Sequence, residues 1–387
     1  MAFDYRRLGV AITGCCAFLH LYSPQALLPE LAREFNASPA QISTIMTAGT
    51  LAIALTAPFA GAVADVFGRK RIITIAIVAA SLPGVLIAFA PDVHTIVIFR
   101  FVQGLLLPPI FTVIIAYIGD EWPANEVAGV AGVYVMGASL GGFCGRLIPG
   151  VIADLAGWRA SFFVLGAITL AFAAIIATTL PREKNFVRSE GLAASAVQML
   201  RHFRSPHLVA TYAVGFGVLF NFIATYTYIS FHLAGPPYRF SNTALGLLFA
   251  TYLVGMVSAP LAGRAIALVG RRGFMFALIG TWSIGAVLLL APQVPIMVFG
   301  LVLCAGCGLL CQAVSTGYVT GSVSEGRSSA VGLYFTSFYA GGSLGAFVPG
   351  LTWETWGWPL VVAEVVGTLA IMAVIVAVAW SPTTSRS

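Results

Sequence analysis

The sequence predicts an all-α membrane protein of twelve transmembrane helices, built as two parallel six-helix repeats. Three observations carry that prediction. Of the 387 residues, 59% are hydrophobic and only 9% are charged, where an ordinary soluble domain has roughly 25% charged residues. So few charges cannot cover a water-facing surface, which excludes a soluble enzyme or DNA-binding protein. The apolar residues run in long continuous blocks, whereas an outer-membrane barrel alternates in segments of about ten residues. Finally, the two halves of the chain repeat one pattern of glycine, proline and tryptophan.

A hydrocarbon core of about 30 Å takes roughly 20 apolar residues per helix. The blocks of that length are 8–31, 42–64, 72–91, 95–118, 127–152, 159–180, 208–233, 242–266, 274–292, 295–318, 328–351 and 359–380. The opening M-A-F-D-Y-R-R precedes an apolar stretch too long for a signal peptide, so span 1 is read as retained. Residues 181–207 form the one long polar segment. Its portion Leu192 to Phe203 is amphipathic and followed by basic residues, the pattern of a membrane-surface helix. The expected organisation is a six-helix bundle over 1–180, a cytoplasmic linker over 181–207 and a second bundle over 208–387.

Charge placement fixes the expected orientation. With the N-terminus in the cytoplasm, fifteen of the twenty Lys and Arg residues fall at cytoplasmic ends and loops. Arg33, Arg159 and Arg239 fall outside, and Arg100 and Arg146 lie within spans. This obeys the positive-inside rule and puts both termini in the cytoplasm. The net charge of +6 therefore reads as a topology signal, with no nucleic-acid partner. All six cysteines lie in apolar blocks. Cys304-x-x-Cys307 with Cys311 reads as small residues that let helices pack closely, rather than as a metal or redox motif. No cofactor and no metal is expected, and no G-x-x-x-x-G-K-(S/T) nucleotide loop occurs.

The internal repeat is specific. G-G-F-C-G-R-L-I-P-G from Gly141 to Gly150, then Gly157-Trp158, matches G-G-S-L-G-A-F-V-P-G from Gly341 to Gly350, then Gly357-Trp358. Gly61…Gly68-Arg69-Lys70 likewise matches Gly263…Gly270-Arg271-Arg272. Six spans per repeat make the repeats parallel, and such duplicated bundles hold substrate between the halves near mid-membrane.

At these residues the sequence resembles the major facilitator superfamily. G-A-V-A-D-V-F-G-R-K-R at 61–71 matches that family's loop 2–3 signature, G-x-x-x-D-x-x-G-R-(R/K)-(R/K). Arg100-Phe-Val-Gln103-Gly104 is similar to the R-x-x-Q-G motif of its proton-coupled members. Gly132, Gly137, Gly141, Gly142, Gly145, Pro149 and Gly150 resemble the glycine/proline motif of its drug:proton antiporters, with Gly145-Arg146 where that motif has Gly-Pro. The G-G-x-x-G-R-L segment from Gly141, Leu27-Leu28-Pro29 and the length of 387 residues are similar to the YnfM-type efflux branch. The resemblance implies a secondary transporter of the bacterial inner membrane, with a small-molecule substrate and protons as partners, acting as a monomer in the lipid bilayer.

Candidate working residues follow. Gly61, Asp65, Gly68, Arg69, Lys70 and Arg71 form the expected gating motif, with Asp65 pairing with the arginines or a helix end. Asp120 and Glu121 are placed to pair with Arg69 and Arg71, and Glu325 and Arg327 are their second-half counterparts. Ionisable groups within spans are costly, about 2.5–3.5 kcal/mol at a helix centre. Arg100, Gln103, His20, Arg146 and Glu364 are accordingly the proton-coupling candidates. Both arginines could instead snorkel to the interface, and His20 could be a neutral packing residue. In the resembled family spans 1, 4, 7 and 10 line the cavity, which makes Tyr22, Gln25, Phe111, Asn221, Tyr226, Tyr228, Gln312 and Tyr318 its candidate walls. The leading expectation is proton-coupled efflux of small organic compounds or drugs. Import or exchange of small anions or sugars, and a non-transporting membrane sensor, are the alternatives.

Overall fold

The computed structural model describes residues 4–183, 202–255, 262–323 and 327–380, excluding the side chains at 62, 65, 327 and 328. The amphipathic linker portion, the Asp65 pairing and the Glu325–Arg327 pair lie outside the described residues. The regular structure described is helical throughout. The chain forms two compact units, Met1–Ala194 with Leu233–Phe249, and Ser195–His232 with Ala250–Ser387.

The first unit contains α1 (Tyr5–Tyr22), α2 (Leu28–Glu34), α3 (Pro39–Phe67), α4 (Arg69–Leu86), α5 (Val93–Leu106), α6 (Pro108–Phe111), α7 (Val113–Glu121), α8 (Ala124–Ala156) and α9 (Trp158–Thr179). After α10 (Pro206–Ala234), whose body belongs to the second unit, α11 (Asn242–Leu248) returns to the first. The second unit continues with α12 (Ala262–Leu288), α13 (Val294–Ser322) and α14 (Arg327–Ala379). Among the described residues ten helical stretches are long and apolar enough to cross a bilayer. The stretch Ser329–Ala379 bends at Gly357 into two spans, and the shorter apolar helix from Asn242 begins another. That is consistent with the twelve spans expected.

Two spans read as continuous in the sequence are broken. Span 1 divides at Ser23-Pro24 into α1, a 3-10 turn and α2. Span 4 divides near Pro108 into α5, α6 and α7. Proline has no N–H and its ring clashes with the preceding turn, so an apolar block that carries it bends. Helix starts follow side-chain caps: Ser38 forms a capping box with Gln41 at α3, and Asp92 and Ser241 accept from Thr95 and Ala244 at α5 and α11. The Thr95 bond also holds the Asp92 carboxyl below its ordinary value.

The repeat is visible in the backbone. Gly68, Gly157, Gly270 and Gly357 all have positive φ, at 93°, 84°, 72° and 62°, and each makes the tight turn between successive spans that side-chain-bearing residues resist. Helix contacts repeat too. A Cβ at Gly141 would overlap the Cys15 carbonyl, and one at Gly341 would overlap the Phe216 carbonyl. Gly145 and Gly345 sit in the same way against Leu19 and Phe220. Lipid tails are as apolar as leucine, so helices associate through such close packing. The same logic explains the cysteines: α12 and α13 touch at Gly285 and Gly300, with Cys304 Sγ beside the contact. At Gly61, among the described residues, a Cβ would meet nothing within 4 Å.

Gly141→Ala and Gly341→Ala are each expected to destabilise by about 1–3 kcal/mol, the usual cost of overpacking. Gly132→Ala, where a Cβ meets open space, should be neutral. Thermal unfolding of the purified variants in detergent checks this; equal melting temperatures across the three would refute the seam.

Candidate functional site

The first unit buries a continuous polar network in its helix core. Arg100 on α5 is 1% exposed and Gln103, one turn on, is also 1% exposed, so Arg100 does not snorkel. Its guanidinium donates to the His20 carbonyl at 2.8 Å, to the Leu21 carbonyl at 2.6 Å and to Gln103 Oε1. The Gln103 amide nitrogen reaches Ala80 O and His20 Nδ1, both at 3.0 Å. His20 Nε2 lies 2.7 Å from Thr169 Oγ1, which bonds Leu165 O at 2.8 Å.

These contacts determine the proton positions. Guanidinium only donates, so the Gln103 oxygen must face Arg100 and its NH2 must face His20. Nδ1 of His20 is therefore the acceptor, and Nε2 carries the hydrogen that Thr169 receives. His20 is held in one tautomer by Gln103 on α5 and Thr169 on α9. A proton on Nδ1 would require the Gln103 amide to turn over, which would aim NH2 at the guanidinium. Protonated His20 and an intact Arg100–Gln103 bond exclude each other.

Arg146 forms a separate centre. It is fully buried and stacked between the rings of Tyr22, 3.9 Å away, and Phe249, 4.2 Å away. Its Nε donates to Gln25 Oε1 at 2.8 Å and its NH1 to Gly142 O at 2.6 Å. Cation–π contacts gain strength when desolvated, and here they replace the expected alternative of snorkelling past Asp154. Tyr22 and Gln25 thus act together, whereas Phe111 packs against Phe18 with ring centroids 6.1 Å apart.

At the loop between α3 and α4, Arg69 pairs with Asp120, and Lys70 donates to Ala177 O at 2.9 Å. Arg71 is exposed. The Arg69–Asp120 pair lies wholly within the first unit.

In the second unit the candidates are dispersed. Tyr226 donates to Leu301 O at 2.9 Å and touches Thr251 at 2.8 Å, and Tyr228 donates to Ala346 O at 2.6 Å. Both are fully buried with bonded hydroxyls. Tyr318 stacks on Trp380 with ring centroids 4.3 Å apart, and Gln312 accepts through its carbonyl from Thr316. Asn221 is buried, with its amide 3.6 Å from Met372 Sδ. Glu364 accepts from Thr352 at 3.0 Å, while its other carboxyl oxygen is buried without a hydrogen-bond partner.

Sequence reasoning missed one constellation. Asp154, at the end of α8, accepts from the backbone N–H groups of Asn242 and Thr243 at 3.1 and 2.8 Å. The Asn242 side chain donates to Asp154 at 3.0 Å and to Glu30 at 2.7 Å. These bonds clasp the start of α11 to the ends of α8 and α2. The available signal was Asp154 standing three residues before Gly157, as Glu354 stands before Gly357.

The sequence matches the family model described as Major Facilitator Superfamily over residues 10–238 and 230–387. It is 30% identical to the inner membrane transport protein YnfM of Escherichia coli, covering 94% of this chain and 90% of that one. It is 27% identical to the uncharacterized MFS-type transporter YybF of Bacillus subtilis, covering 94% and 89%. Its fold is similar to that of a point mutant of the nucleoside transporter NupG, with a TM-score of 0.80 and 15% identity over 97% of this chain and 100% of that one. It is also similar to the human organic anion transporter MFSD10, with a TM-score of 0.73 and 16% identity over 97% and 100%. The chain belongs to the Major Facilitator Superfamily and is a multi-pass membrane transporter.

Proposed function

We propose that the protein exports small organic compounds from the bacterial cytoplasm in exchange for protons, by alternating access of two six-span halves joined through residues 181–207. The observation that carries this reading is the buried hydrogen-bond chain from Arg100 through Gln103 to His20, in which a proton on His20 Nδ1 would compete with the Arg100–Gln103 bond. A proton entering the network turns the Gln103 amide, releases Arg100, and thereby alters the packing of α1, α4, α5 and α9. A bound proton is in this way converted into a conformational bias. The inner-membrane location, with both termini cytoplasmic, is supported by the positive-inside distribution and by the likeness to an inner membrane transport protein of E. coli. Asp65 and the Arg69–Asp120 pair supply the gate at the loop between α3 and α4.

A second reading, exchange of small organic anions, draws on the neutral oxygens that surround the Arg100 guanidinium among the described residues. A cation so bonded retains its full charge for an incoming anion. Acceleration of counterflow by organic anions, with none by lipophilic cations, would favour this reading over the first.

Gln103→Leu strands hydrogen-bonding groups on both Arg100 and His20, at about 1–3 kcal/mol for each buried group. Accumulation driven by a pH gradient in proteoliposomes is expected to fall roughly tenfold or more, while exchange at equal pH persists. Arg100→Ala should likewise abolish gradient-driven accumulation; wild-type pH dependence in that variant overturns the coupling role. For the gate, Asp65→Asn should lower turnover more than substrate affinity, read as initial rates against binding by thermal shift. Unchanged turnover removes the gating assignment.

A further inference from the structure

The second unit carries a groove that the transport reading leaves unused. It lies between the first turns of α10 and both halves of α14, and encloses about 580 Å³, within the range of about 300–1,000 Å³ that ligand pockets occupy. Phe203, Phe216, Phe220 and Met372 give it an apolar lining, and its rim residues Phe203, Val209 and Ile371 are exposed. Four hydroxyls in the lining break the apolar pattern, and those of Ser337 and Thr368 bond backbone carbonyls. Tyr212, only 4% exposed, and Thr336 each hold a buried oxygen with no hydrogen-bond partner. Both are donors, and a hydrocarbon chain offers them nothing. An ester carbonyl does. Beside Phe203 at the same end stand His202 and the exposed Arg204, followed by the exposed His207, which contacts Ala379 O at the end of α14.

We propose that this groove binds an anionic phospholipid. One acyl chain lies along the aromatic wall, the ester carbonyls accept from Tyr212 and Thr336, and the phosphate sits toward Arg204. Basic side chains at a helix end favour such a headgroup over a zwitterionic one. The site is distinct from the His20–Arg100 network, which lies in the other unit.

Native mass spectrometry of the full-length protein in detergent tests this, titrating phosphatidylglycerol against phosphatidylcholine with the same chains. The wild type is expected to retain phosphatidylglycerol preferentially. Tyr212→Phe and Thr336→Val keep the side-chain shape and should weaken its retention roughly three- to tenfold. Arg204→Ala should bring it down to the phosphatidylcholine level, and Ala213→Phe, which fills the groove, should abolish it. Equal retention of the two lipids by the wild type overturns the headgroup assignment. Undiminished retention in Tyr212→Phe and in Ala213→Phe, each with a wild-type melting temperature, overturns the site.

Discussion

A guanidinium removed from water must meet acceptors supplied by the protein itself, and much of the first unit is arranged around that requirement at Arg100. Its bonds go to the last turn of α1 and to its own helix neighbour, so α5 and α1 cannot separate without stranding a charge. Space for the network comes from missing side chains. A Cβ at Gly49 would stand 2.9 Å from the Arg100 guanidinium, and one at Gly84 would stand 2.9 Å from the Gln103 amide nitrogen. Glycine here serves polarity as much as helix approach. Small residues thus leave room for buried polar groups that hold the helices in register.

That arrangement answers the problem set by lipid. In a bilayer no water competes for hydrogen bonds, and no hydrophobic force presses one apolar helix against another. Specific association then depends on shape and on internal polar bonds. The glycine seam of α8 against α1 provides the first and the His20–Gln103–Arg100 chain provides the second. The Asp154–Asn242–Glu30 clasp supplies a further polar tie at the span ends.

The fold class was legible because its determinants are local: apolar block length, charge at block ends, and glycine and proline at fixed repeat positions. Arg100, His20 and Gln103 stood out for the same reason, as polar residues where few occur. Their joining was not legible, since it links residues about eighty positions apart on separate helices. Asp154 and Asn242 stayed hidden because polar residues at span ends are ordinary. For Tyr226 and Tyr228 the sequence shows an aromatic side chain on a helix face but not the hydroxyl bond, whose acceptor is a carbonyl on another helix. The breaks at Pro24 and Pro108 were signalled by residue type but outweighed by the continuity of the apolar blocks.

Comparison of the two repeats locates what duplication left free to diverge. The seam glycines and turn glycines recur at corresponding positions, so the scaffold constrains them in both halves. The buried polar filling does not recur. The repeat partner of Arg146 is Ala346, whose carbonyl accepts from Tyr228, and at the two repeat offsets Arg100 meets an uncharged residue, Gly300 or Val302. Where the first unit satisfies cations with carbonyl, amide and aromatic groups, the second buries tyrosines whose hydroxyls bond the backbone. Among the described residues fully buried arginines stand in the first repeat and not in the second, so the two bundles respond differently to the same change in ligand or field.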